Sequence, residues 1–147
     1  MDATRFVEIL RRCRHDFGNH LQVVSGYTEL GRSDKVQEYI GNIVEKMASE
    51  RIIFESLSAE GALYFYEQVL LAADLGVILV YKDLKITNWR KLETGMEPMR
   101  SLAPLVTGVG KEEEPVVFVS LQEDEQGIEM LFSCEYFDED VSFRIDE

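Results

Sequence analysis

Two histidines, His15 and His20, and the polar residues spaced around them are the side chains with the clearest chemical potential in this sequence. Both fall in a stretch with apolar residues at Phe6, Leu10, Cys13, Phe17, Leu21, Val24 and Thr28. Steps of three and four mark one face of a helix. At roughly 100° per residue, His15 points about 180° away from that stripe, whereas His20 falls inside it. His20 therefore reads as a satisfied histidine at the edge of a core. His15 reads as a reactive group presented to solvent.

An exposed histidine can take a phosphoryl group if it is reachable in line and offers a neutral ring nitrogen, as an ordinary imidazole does near neutral pH. Asp16 beside it is a carboxylate able to fix the tautomer or take a proton. Arg11, Arg12 and Arg14 can offset the charge of a phosphate. Gly18 leaves room for an approaching partner, and Asn19 and Gln22 share the His15 face at helical spacings of four and seven. His15 and Asp16 are thus the catalytic candidates. Arg11, Arg12, Arg14, Gly18, Asn19 and Gln22 are candidates for contact with phosphate or a partner. Metal is not expected: Cys13 and Cys134 are isolated in sequence, and neither a CxxC nor a His/Cys cluster occurs.

The elements that must position these residues follow from the pattern. One helix is expected over residues 4–31 and a second over 35–57, with its stripe at Val36, Ile40, Ile43, Met47, Phe54 and Leu57. Gly31 fits a helix end, and Ser33 or Asp34 can cap the next helix. So short a turn makes an antiparallel hairpin. One hairpin cannot enclose two continuous apolar stripes, but two copies can, by closing a four-helix bundle. A homodimer is the expectation; the alternative is that the hairpin packs on its own C-terminal half.

At Ser58–Gly61 the pattern changes, which divides the chain into residues 1–58 and 59–147. A helix over 62–75 and a β-branched strand over 77–81 come first. The segment 89–106 reads as helix broken at Gly95, Pro98 and Pro104. Lys111–Glu114 reads as a solvated loop. Strands over 116–122 and 128–137 flank a turn at 123–127, and an edge strand spans 141–145. The second half is then a small α/β domain of three or four strands with one or two helices, and the fold class is α+β.

Composition bounds the function. The net charge of the 147 residues is −13, which argues against a nucleic-acid binder. Eight Lys/Arg against nine Asp/Glu give residues 1–58 a net of −1, so the second half carries the remaining −12. No apolar run approaches the ~20 residues of a membrane span, and Met1–Arg5 lacks the layout of a signal peptide. A soluble, cytoplasmic protein is expected.

The run Arg14-His15-Asp16-Phe17-Gly18-Asn19-His20-Leu21-Gln22, with Gly26 and Leu30 further on and Asp34 to Ile40 opening the next helix, resembles the phosphoacceptor hairpin of the sporulation initiation phosphotransferase B family. The citrate/malate-type sensor histidine kinases share that hairpin. The resemblance covers residues 5 to about 57. It implies that His15 is phosphorylated, that Asp16 and Asn19 shape its surroundings, and that the hairpin dimerises and meets response-regulator receiver domains. Each receiver would bring its own Mg²⁺, so the chain needs no cofactor of its own.

The second half separates kinase from phosphotransferase. Residues 62–84 resemble the opening of a histidine-kinase ATPase domain. Where Asp-x-Gly is expected, however, the sequence runs Cys134-Glu135-Tyr136-Phe137, and residues 138–147 leave no room for a lid. Gly108-Val109-Gly110-Lys111 is neither a P-loop nor a dinucleotide fingerprint. The domain therefore resembles a degenerate ATPase domain without ATP binding. A phosphorelay phosphotransferase, acting in sporulation initiation as the resemblance implies, is the leading expectation. A non-catalytic degenerate kinase that sequesters a response regulator and a genuine kinase with eroded nucleotide motifs are the alternatives.

Overall fold

The computed structural model describes residues 2–110 and 113–146. Lys111 and Glu112, half of the expected acidic loop, lie outside the described residues. The chain divides into two units, Met1–Ser49 and Glu50–Glu147.

The first unit is a helical hairpin. Helix α1 (Ala3–Glu29) starts where the Asp2 carboxylate accepts the Arg5 amide at 2.8 Å. It ends at Gly31, whose φ of 68° lets the Arg32 amide reach the Tyr27 carbonyl (2.9 Å) and its own amide the Thr28 carbonyl (3.0 Å). This pair of bonds satisfies carbonyls that a helix end leaves open. Helix α2 (Ser33–Ser56) follows at once. Ser33 and Asp34, expected as caps, lie in its first turn instead. Arg32 holds the cap position, its carbonyl accepting from Val36 N at 3.1 Å. Asp34 still suits that turn, where a negative charge meets the positive end of the helix.

His20, Val23 and Tyr27 on α1 and Val36, Tyr39 and Ile43 on α2 are half-buried. Between them His20 Nδ1 lies 2.8 Å from the Tyr39 hydroxyl. The two rings meet edge to face at 5.7 Å between centroids. The apolar stripe of α1 does not turn toward α2. Phe6, Leu10, Phe17 and Leu21 are exposed, Phe17 by 64%, as are Ile40, Val44 and Met47 on α2. On each helix this apolar side lies about a quarter turn from the side meeting its neighbour, in the same rotational sense. In antiparallel helices the two sides therefore open onto one face of the hairpin. His15 lies roughly a third of a turn the other way, on the opposite face.

The second unit begins inside α2, because Ile53, 1% exposed, belongs to its core. Helix α3 (Ala59–Asp74) is capped by Ser58, whose Oγ accepts Gly61 N at 3.2 Å. Strand β1 (Ile78–Lys85) leads through α4 (Arg90–Thr94) and α5 (Met99–Val106) to β2 (Val116–Asp124), β3 (Gly127–Ser133) and β4 (Val141–Asp146). The sheet order is β1-β2-β3-β4, with β1 parallel to β2 and the other pairs antiparallel. A bulge between Tyr81 and Asp83 shifts the register, which keeps Leu84 as well as Leu79 and Tyr81 on the core side. These pack with Val117, Val119, Leu121, Ile128, Met130 and Phe132 under Phe65, Val69, Leu92 and Leu102. The only tryptophan, Trp89, is buried here, stacked on Tyr64 at 6.0 Å with the Arg90 guanidinium 4.7 Å from its ring.

Among the described residues the unit holds four strands and, after the end of α2, three helices, one more than expected, because the break at Gly95–Pro98 splits 89–106 into two. Pro104 breaks nothing. It sits two residues before the end of α5, where the missing N–H removes one helical bond, and its ring is exposed. The third strand is shorter than expected: Cys134–Phe137 is a turn closed by Phe137 N donating to Cys134 O at 3.1 Å. In the β2–β3 hairpin, Asp124 Oδ1 instead accepts Gln126 N and Gly127 N, at 2.8 and 3.1 Å.

Glu123 ties the end of β2 to the loop after β1. Its carboxylate accepts Asn88 N (3.0 Å), Thr87 N (2.8 Å) and the Thr87 hydroxyl (3.1 Å). The Asn88 amide leads in holding its pKa below the usual carboxylate value. A depressed folded pKa contributes stability above the unfolded value that is lost as pH falls through the folded one. Glu123→Gln is therefore expected to lower the unfolding midpoint near neutral pH, by a difference that shrinks as pH falls below the ordinary carboxylate range. Thermal melts across that range check it; a constant difference would contradict it.

Candidate functional site

Helix α1 presents the candidate residues on adjoining strips. His15 is the most open of the central group, its side chain 71% exposed. Its contacts gather at one ring nitrogen: Nδ1 lies 3.6 Å from Asp16 Oδ1 and 3.4 Å from Asn19 Nδ2. An imidazole that donates from Nδ1 to the carboxylate keeps the lone pair on Nε2, the form required of a nucleophile there. Asn19 can serve the same tautomer by turning its amide oxygen to Nδ1.

The arginines separate. Arg12 Nε stands 3.6 Å from Asp16 Oδ2, one turn away on the same helix. Arg11 pairs with Glu8 at 3.2 Å, both side chains well exposed. Arg14, next to His15 in sequence, projects about 100° around the helix, toward the exposed apolar face. Gln22 is exposed, two turns on. Gly18, one turn after His15, has nothing within 4 Å of the place a Cβ would take. The geometry thus brings together His15, Asp16, Asn19 and Arg12, and leaves Arg11, Gly18 and Gln22 along the open face.

The Tyr39 hydroxyl beside His20 was not singled out from the sequence. Its signal is the pairing of two polar positions on facing helical strips, which becomes readable only when the hairpin register is known. Neither Cys13 nor Cys134 is in a disulfide, and both are half-buried. Among the described residues, no three His, Cys, Asp or Glu side chains are placed to hold a metal ion, and no helix is long and apolar enough to cross a membrane.

The hairpin thus presents an exposed histidine on its first helix, with an acid beside it and an amide one turn on. Residues 1–56 match the family model described as the Sensor_kinase_SpoOB-type, alpha-helical domain. The hairpin is a domain of that type, as the motif implied, and it connects the chain to two-component, phosphotransferase- or kinase-like proteins. No curated protein matches the chain.

Gly18 yields a prediction independent of any partner. A mid-helix glycine with open space at its Cβ costs about 1 kcal/mol relative to alanine. Gly18→Ala is expected to stabilise the hairpin by about that amount, read as a higher unfolding midpoint of the helical circular dichroism signal. An unchanged or lower midpoint would contradict the open environment.

Proposed function

We propose that the chain is a phosphorelay phosphotransferase that carries phosphoryl on His15 between response-regulator receiver domains, within sporulation initiation as the family designation suggests. The observation that carries this reading is the position of His15: exposed on a SpoOB-type hairpin with Nδ1 engaged by Asp16 and Asn19. Nε2 attacks the phosphorus of an aspartyl phosphate, the P–N bond forms as the P–O bond breaks, and the aspartate leaves as a carboxylate. The positive charge that develops on the ring faces the Asp16 carboxylate through Nδ1–H. The reverse step delivers the phosphoryl group to a second receiver's aspartate. Catalysis of this kind rests on positioning and charge, with little covalent help from the protein. Magnesium belongs to the receiver.

The reading includes a cytoplasmic homodimer. The shared apolar face of α1 and α2 is the surface a second copy would cover, closing a four-helix bundle with both His15 residues outward. It also includes an ATPase-like second domain without nucleotide binding. Cys134–Phe137 in place of Asp-x-Gly, and the lack of a glycine-rich fingerprint before the acidic run, support this.

Incubation with a phosphorylated receiver is expected to give an acid-labile phosphohistidine that His15→Ala abolishes. Absence of transfer from every receiver tested, with binding retained, would replace the proposal with sequestration. ATP-driven labelling of the isolated chain would replace it with a kinase.

Light scattering at micromolar concentration is expected to report a dimer. Phe17→Asp is expected to weaken dimerisation by at least roughly a hundredfold, since two symmetric copies each lose about 1.5–3 kcal/mol of burial. A monomeric parent would rule out the bundle.

A further inference from the structure

One carboxylate in the site serves two partners. Asp16 Oδ1 lies 3.6 Å from His15 Nδ1, and Oδ2 lies 3.6 Å from Arg12 Nε. Both separations are ion-pair distances, longer than a hydrogen bond, and attraction at both oxygens favours one orientation of the carboxylate that a single neighbour would leave freer to rotate. The Arg12 and Asp16 side chains are 32% and 39% exposed, against 71% for His15. The pair is therefore set back from the solvent-facing ring and less screened than a fully exposed ion pair. A group approaching His15 from solvent meets the open side on which Arg11 lies, its side chain 72% exposed.

We propose that Arg12 is a positioning residue for His15, acting through Asp16 and not by contact with the phosphoryl group. This rests on the reading of His15 as the phosphoacceptor. Arg12 holds Asp16 Oδ2, which keeps Oδ1 on Nδ1. The ring then stays in the tautomer that leaves Nε2 unprotonated, at the orientation Nδ1 sets. Loss of Arg12 frees the carboxylate to leave Nδ1, and the ring samples both tautomers and more rotamers. Misplacement of a reacting group by about 1 Å is enough to cost a large factor in rate.

A double-mutant cycle on the full-length chain tests this. The rate of phosphohistidine formation from a saturating phosphorylated receiver is measured for the parent, R12A, R12K, D16N and R12A/D16N. Arg12→Ala is expected to slow transfer on the order of tenfold, with little change in the receiver concentration giving half-maximal rate. Arg12→Lys is expected to restore part of that loss. R12A/D16N is expected to be no slower than D16N alone. Multiplicative losses would mean that Arg12 touches the phosphoryl group directly, and an unchanged R12A rate would mean that it does nothing; either overturns the proposal.

The second readout needs no receiver. Nitrogen-15 shifts of the His15 ring are expected to show the Nδ1–H tautomer in the parent and a mixture in R12A. Identical ring shifts in the two would overturn the proposal. A parent that forms no phosphohistidine but shows the tautomer change would sink the phosphotransferase reading while leaving the Arg12–Asp16–His15 linkage standing.

Discussion

A helix in a two-helix hairpin can bury only the strip that meets its neighbour, and each of these helices carries more apolar surface than that strip holds. His20, Val23 and Tyr27 against Val36, Tyr39 and Ile43 use the contact, with a hydrogen bond rather than an aliphatic layer at one point along it. Phe6, Leu10, Phe17 and Leu21 are then left with Ile40, Val44 and Met47 on a second face. That surplus fixes the remaining geometry of α1. With one strip given to the neighbour and one to the apolar surface, the third is left for polar residues, and His15 stands there. Separation of the apolar surface from the His15 ring is a consequence of helical periodicity, and it leaves both open to solvent at once.

The two units contrast in charge. Residues 1–49 hold seven Lys/Arg against seven Asp/Glu, whereas residues 50–147 hold eight against 21. The whole net charge of −13 therefore resides in the second unit. The hairpin offers local pairs of opposite sign without a long-range field of its own. An excess so distributed acts on the rate and selectivity of encounter more than on the strength of the final contacts.

The hairpin was legible in the sequence because its information is periodic and local. The helix spans, the Gly31 turn and the opposite orientations of His15 and His20 all follow from steps of three, four and seven. The register between α1 and α2 was not legible, since it depends on which strip of each helix wins the contact. For that reason the sequence alone does not reveal Tyr39 as the partner of His20. Local spacing also placed Arg14 beside His15, although adjacent helical residues diverge by about 100°. In the second unit the strands were found and their ends were not. Cys134–Phe137 looks β-like in composition, but its backbone bonds close a turn. Pro104 looked like a break because proline is weighed without regard to how near a helix end it stands. The Glu123 clamp on Thr87 and Asn88 joins residues 35 and 36 positions apart, and no local pattern encodes it.

Trp89 gives the molecule an optical asymmetry. As the only tryptophan, buried between Tyr64 and the Arg90 guanidinium in the second unit, it makes ultraviolet-excited indole emission a signal of that unit alone. The hairpin carries no indole, yet most of its residues are helical and dominate its far-ultraviolet dichroism. Emission and dichroism followed together therefore sort the two units by wavelength. Coincident transitions would mean that α2, which runs through both, couples them into one cooperative block, and separated ones would give each unit its own melting curve without cutting the chain.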